Sequence, residues 1–256
     1  MSNIAQAFNK GKAFIGFLTG GDPDMEKSEA FIMEMIRAGA DLVEIGVPFS
    51  DPIAEGPVIQ EANLRALKAG ATVEKLFALA ERVRARSSVP LVFLTYLNPV
   101  FHYGYDRFFK QCRKSGLDGI IIPDLPFEEQ GELRDITRSY GVDLISLIAP
   151  TSEERVSRIA GEAAGFIYLV SSLGVTGIRG AIDTNLAPIM ERVRRVTDIP
   201  LAVGFGIHSP EQAAALSKTA DGVIVGSAIV RLVAEHGGGA GPAIYDYVKA
   251  MKDALR

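Results

Sequence analysis

Eight short runs dense in Val, Ile, Leu and Phe punctuate this chain. They are Ala13–Thr19, Asp41–Val47, Pro90–Tyr96, Gly119–Pro123, Asp143–Ile148, Gly165–Ser171, Pro200–Gly204 and Gly222–Gly226. Apolar and polar positions barely alternate within them, which is the pattern of strands buried on both faces of a parallel sheet. Amphipathic segments lie between, such as residues 25–40, 72–87, 127–141 and 152–165, and they close on Gly or small residues, as helices do before a short return to a strand. Eight strand–helix units in 256 residues is the arithmetic of a (β/α)8 barrel, an α/β fold that consumes residues 1–256 as one domain. A doubly wound open sheet has fewer strands and a GxGxxG turn after the first. Here Gly20-Gly21-Asp22-Pro23 follows the first run.

Three additions to the simple alternation are expected: an N-terminal helix, further helices in the βα loops, and two overlong connections. The first connection, Pro48 to Gly70, contains a predicted helix at Pro57–Ala69, and the second, Ser172 to Asp183, is glycine-rich. Long βα loops of a barrel lie over its catalytic face and act as lids. The run Gly237–Pro242 joins two predicted terminal helices.

Composition narrows the function. Lys and Arg number 27 against 31 Asp and Glu, so no basic excess exists to neutralise a nucleic-acid backbone. No apolar run approaches the ~18 residues that cross a bilayer. The opening residues MSNIAQAFNKGK lack an apolar signal core, and Cys112 is the lone cysteine; both predict a cytoplasmic protein. His102, His208 and His236 are scattered, so no metal site is predicted.

The second run places a carboxylate inside a strand. Alternation puts Leu42, Glu44 and Gly46 on one face and the branched trio Val43, Ile45 and Val47 on the other. The branched face suits the helix shell, so Glu44 points into the barrel near its C-terminal mouth. Burial raises a carboxyl pKa, which suits a group that gives and takes protons near neutrality. The bland alternative is a Glu held by an internal ion pair or by backbone donors; none of the eight runs contains Lys or Arg, which weakens the ion-pair version. Asp51 and Glu55 follow on the loop Pro48–Pro57. Taken alone, Asp51 reads as a turn residue and Glu55 as an acid favouring the start of the helix at Pro57.

Glycines cluster after the last three runs, as Gly174-Val175-Thr176-Gly177, Gly204-Phe205-Gly206-Ile207 and Gly226-Ser227-Ala228. Glycine lets backbone N–H groups approach an anion, and a helix start adds partial positive charge. The loops after strands seven and eight are the usual phosphate site of this fold. Tight loop geometry is the competing explanation for the same glycines.

Together these motifs resemble the tryptophan synthase alpha chain family. The resemblance rests on Phe17–Pro23, Glu44–Pro52, Gly56–Gln60, Gly174–Gly177, Gly204–Ile207 and Gly226–Val230, and the string from Glu44 through Gln60 is its most specific part. It implies retro-aldol cleavage of indole-3-glycerol phosphate to indole and glyceraldehyde 3-phosphate. It makes Glu44 the general acid/base and Glu55 the second carboxylate, which faces the indole N–H. Tyr168 would lie near the acid/base, Phe17 and Leu94 would line the indole pocket with Phe205 beside it, and Thr176 would close a lid. Gly177, Gly206, Gly226 and Ser227 would hold the phosphate. Asp51 and Pro52 would face a beta subunit in an αββα heterotetramer, where pyridoxal phosphate (PLP) belongs to the beta subunit and none to this chain. The sequence departs from the family pattern at Glu55, where Asp is usual, at Ser172, where Arg is frequent, and at Phe166, where Tyr is common. Three alternatives stay open at this level: another phosphate-binding barrel isomerase, a non-catalytic activator of a beta subunit, and a stand-alone lyase.

Overall fold

All eight expected runs form parallel strands in a computed structural model that describes residues 2–150, 155–171 and 186–255. The strands are β1 (Ala13–Thr19), β2 (Leu42–Gly46), β3 (Leu91–Leu94), β4 (Gly119–Ile121), β5 (Asp143–Leu144), β6 (Ser146–Ile148), β7 (Ile167–Val170), β8 (Leu201–Gly204) and β9 (Gly222–Val225). Their hydrogen-bonded order is β5-β4-β3-β2-β1-β9-β8-β7-β6. The two ends of that order, β5 and β6, are separated only by Ile145, whose N–H donates to Ile120 O at 2.9 Å. They are two halves of one barrel strand. The sheet therefore closes on itself and leaves no free edge.

The alternation predicted for β2 is what the barrel uses. Leu42 packs inside with Ile15, Val92, Ile121, Phe166 and Ile224. Val43, Ile45 and Val47 pack outside, against helix residues such as Phe31 and Phe77. At the N-terminal end the expected helix is a five-residue 3-10 turn, Ile4–Phe8. It is short because its task is to plug: Ile4 and Ala7 join the interior layer, and the Phe8 ring lies 6.0 Å from that of Phe166.

The same end is tied by a repeated device. An Asp just ahead of a strand accepts from an N–H at the start of the neighbouring strand: Asp41 from Phe14 at 2.7 Å, Asp118 from Leu91 at 3.0 Å, Asp221 from Leu201 at 2.8 Å. A cation completes each unit, namely Lys252, Arg84 and Arg194. Buried polar atoms at the strand starts are thereby paired, which serves stability at this face and frees the opposite face for loops.

Above the mouth, the long connection after β2 folds as the helix Pro57–Lys68, close to the predicted range. Pro57 occupies its first turn, where a missing N–H costs nothing. The barrel helix Val73–Arg84 follows, started by the Thr72 side chain accepting from Lys75 N–H. After β3 a second extra helix, Leu97–Tyr103, precedes Tyr105–Ser115. The glycine run near the C-terminus joins the helices Ser227–His236 and Gly241–Asp253, as expected. Among the described residues no helix is long and apolar enough to cross a membrane.

Candidate active site

A cleft of about 370 Å³ opens at the C-terminal mouth of the barrel. Glu44 and Glu55 both line it, as do Phe17, Leu94, Tyr168 and Phe205. Residues named from sequence on four strands and two loops are thus brought to one cavity.

Glu44 sits in mid-strand, in register with Phe17 of β1 and Val92 of β3. It is 1% exposed, and its Oε1 has no hydrogen-bond partner. Among the described residues no ion pair holds it, and no backbone donor meets Oε1. Burial pushes its carboxyl up from 4.5 to about 8. The Tyr168 hydroxyl is likewise pushed well above its ordinary value, first by burial and then by the nearby Glu44. An unpartnered buried carboxyl is costly. Here the unsatisfied atom belongs to a side chain that lines an open cleft, where a ligand can supply the missing partner.

Glu55 comes from the loop rather than a strand, and the fold buries it too, at 6% exposure. Its Oε2 accepts from Asn63 Nδ2 at 2.6 Å, and the Tyr96 hydroxyl also bonds its carboxylate. Its own carbonyl accepts from Gln60 Nε2 at 2.7 Å. Tyr96 braces the loop a second time by accepting from Ala54 N–H at 3.1 Å. Burial raises the Glu55 carboxyl to about 7, opposed by those two side-chain hydrogen bonds. The helix that starts at Pro57 has Gly56 at its cap with no side-chain bond. Glu55 therefore faces the cleft, and the helix-start reading is set aside.

Asn63 and Tyr96 were not singled out in the sequence, though each left a signal. Asn63 lies on the buried stripe Ile59, Ala62, Asn63 and Ala66, and a polar residue on an apolar helix face needs a buried partner. Tyr96 continues the inward parity of Val92 and Leu94 past the end of β3.

The opposite wall is built from backbone. Gly206, Ile207, Gly226 and Ser227 line it. Phe205 and Gly206 are both left-handed, at φ 75° and 80°. The helix Ser227–His236 begins there with no side-chain cap, so first-turn N–H groups are available to a ligand. Gly204 is required by packing: a Cβ there would lie 2.3 Å from the Tyr168 hydroxyl. Gly204→Ala is expected to tilt the Tyr168 ring into the cleft and cost about 1–3 kcal/mol of stability. Urea unfolding and turnover measured together check this, and an unchanged value of both would contradict it.

Asp51 is exposed and Pro52 half-buried at the rim. Ile53 and Phe101 stand out nearby at 71% and 67% exposure. Thr176 and Gly177 lie outside the described residues, as do Ser172 and the rest of the expected lid. Among the described residues no group of three or more His, Cys, Asp or Glu is placed to hold a metal ion.

A closed parallel barrel with two buried carboxyl groups and an apolar wall at its C-terminal mouth defines a barrel enzyme working at the face where this fold places its chemistry. The family model described as tryptophan synthase alpha chain matches residues 4–254. The tryptophan synthase alpha chain of Lactiplantibacillus plantarum is 49% identical over 256 residues, covering 100% of this chain and 97% of that protein. Among solved structures, Mycobacterium tuberculosis tryptophan synthase superposes with a TM-score of 0.91 at 35% identity, covering 100% of this chain and 98% of that one. The tryptophan synthase α2β2 complex from Pyrococcus furiosus gives 0.85 at 34% identity, covering 95% and 99%. The chain belongs to the tryptophan synthase alpha chain family, and is by that membership a lyase.

Proposed function

We propose that this chain, as a single barrel domain working in the cytoplasm, cleaves indole-3-glycerol phosphate into indole and glyceraldehyde 3-phosphate by acid/base chemistry alone. The observation that carries the reading is the pairing of two buried carboxyl groups, Glu44 and Glu55, in one cleft. Burial raises both carboxyl groups, Glu44 to about 8 with nothing opposing it and Glu55 to about 7 against two side-chain hydrogen bonds. The unpartnered setting of Glu44 favours its protonated form and the hydrogen bonds on Glu55 favour its carboxylate, and such a difference in environment assigns their roles.

Glu44 gives its proton to C3 of the indole ring. The ring becomes a cationic indolenine, and the Glu55 carboxylate stabilises it at the ring N–H. The ionised Glu44 then takes the proton of the C3′ hydroxyl. The C3–C3′ bond breaks, its electron pair restores the aromatic ring, and the O–H pair forms the aldehyde. Phe17, Leu94, Tyr168 and Phe205 supply the apolar wall for the ring. Gly206, Gly226 and Ser227, with Gly177 of the lid, hold the phosphate and so fix C3′ against Glu44. Thr176 closes over Glu55. No strand among the described residues carries a lysine, which supports a route without a Schiff base, and the scattered histidines support one without a metal.

The partner is a PLP-dependent beta subunit in an αββα assembly, as in the α2β2 complex of the Pyrococcus relative. Asp51 and Pro52 meet it, and the exposed Ile53 and Phe101 extend that rim. Indole release by the purified chain, alone and with beta subunit, tests the function. We expect release in both cases and faster release in the complex. No indole in either case would overturn the assignment, and equal rates would make the chain a stand-alone lyase.

A further inference from the structure

The turn after β8 has an unusual backbone and needs support. Phe205 and Gly206 are consecutive left-handed residues, and for Phe205, which has a Cβ, that conformation costs about 1–2 kcal/mol. Two side chains reach the carbonyls of this pair. Ser171, fully buried at the end of β7, donates its hydroxyl to Phe205 O and its N–H to Gly204 O at 3.0 Å. His208 Nδ1 lies 3.0 Å from Gly206 O. A carbonyl oxygen only accepts, so Nδ1 carries the proton. His208 is itself fixed at both backbone groups: its N–H donates to Gln212 Oε1 at 2.9 Å, and its carbonyl accepts from the Tyr247 hydroxyl at 3.0 Å. Gln212 is locked by a capping box with Ser209, and Tyr247 belongs to the C-terminal helix Gly241–Asp253.

We propose that Ser171 and His208 are positioning residues for the phosphate end of the cleft. They tie the carbonyls of Phe205 and Gly206 back into the protein frame, so that the phosphate meets N–H groups and not carbonyl oxygens. The inference rests on the phosphate-binding reading of this loop. A peptide unit presents its N–H on one side and its C=O on the other. If the peptide after Phe205 or Gly206 turned over, an attractive donor would be replaced by a repulsive acceptor aimed at a dianion. Glycine at 206 makes such a turnover easy, which is why a side chain must oppose it. Neither Ser171 nor His208 lines the cleft, so both act through the backbone. The C-terminal helix, remote from the carboxyl groups, thereby braces substrate binding through Tyr247.

His208→Ala and Ser171→Ala remove one tie each, whereas His208→Asn keeps a donor at the position of Nδ1. The probe is sn-glycerol 3-phosphate, titrated calorimetrically, with indole alone as the second ligand. We expect each alanine variant to bind glycerol 3-phosphate about fivefold to tenfold more weakly, the loss of one hydrogen bond. KM for indole-3-glycerol phosphate should rise by the same factor with kcat changed by less than about twofold, and indole affinity should stay level. His208→Asn should recover most of the binding. Equal glycerol 3-phosphate affinity in wild type and the alanine variants would overturn the inference, as would a folded His208→Asn that binds no better than His208→Ala. A wild-type chain that fails to bind glycerol 3-phosphate would overturn the phosphate reading first, and this inference with it.

Discussion

Glu44→Gln will lose indole release by about a thousandfold or more, while still binding sn-glycerol 3-phosphate. The amide has the shape of the acid but neither gives nor takes a proton, and general acid/base groups contribute about 10²–10⁴-fold each. Here one group serves two successive transfers, so the larger end applies. The same substitution should stabilise the protein, and the pH dependence follows from the sign of the shift. The Glu44 carboxyl is raised from 4.5 to about 8 by burial. A group raised on folding contributes its full stability below the unfolded value and loses it as pH climbs to the folded value. Wild type therefore loses stability steadily between about pH 4.5 and 8, whereas Gln at this position does not titrate. At pH 7 the variant should be more stable by on the order of 3 kcal/mol, with the gap widening up to pH 8. Urea unfolding of both proteins at pH 5, 7 and 8.5 measures it. Parallel pH profiles would mean that Glu44 is solvated, and unchanged turnover would remove it from the chemistry.

Glu55→Ala will lower kcat by about 10²–10³-fold, the cost of removing a charge that stabilises the transition state. Glu55→Asp should keep much more activity, because its carboxylate still reaches the cleft. It will not match wild type, since Asn63 and Tyr96 are spaced for the longer side chain. The wild-type pH profile should rise through about 7 as Glu55 ionises and fall above about 8 as Glu44 loses its proton. The Asn63 hydrogen bond holds the Glu55 value down, so Asn63→Ala should move the rising limb to higher pH. Equal rates for Glu, Asp and Ala at position 55 would return this residue to a helix-start role.

The barrel was legible because its evidence is local. Each strand carries its own apolar run, and strand parity alone aimed Glu44 inward and Val43, Ile45 and Val47 outward, as observed. The glycine loops after β8 and β9 were equally visible, since each glycine marks a backbone need at its own position. The expected N-terminal helix is a single 3-10 segment, whose apolar residues Ile4 and Ala7 serve as a plug.

The environment of Glu55 was not legible, and on its loop alone the helix-start reading was the stronger. Its partners are Asn63, eight residues on in the next helix, and Tyr96 from beyond the neighbouring strand β3, and the way the loop folds back onto them is not written in its local pattern. The ties from Ser171 and His208 to the turn at Phe205 were hidden because side-chain direction within a tight turn leaves no periodic signal. The sequence alone determined the number of strands, their inward faces and the acid aimed into the mouth, because periodicity and glycine act over a few neighbouring residues. The tertiary structure decided which carboxyl groups lose water and which carbonyls are tied back, because burial and hydrogen-bond partnership depend on how loops and neighbouring strands pack in three dimensions, which local periodicity does not fix.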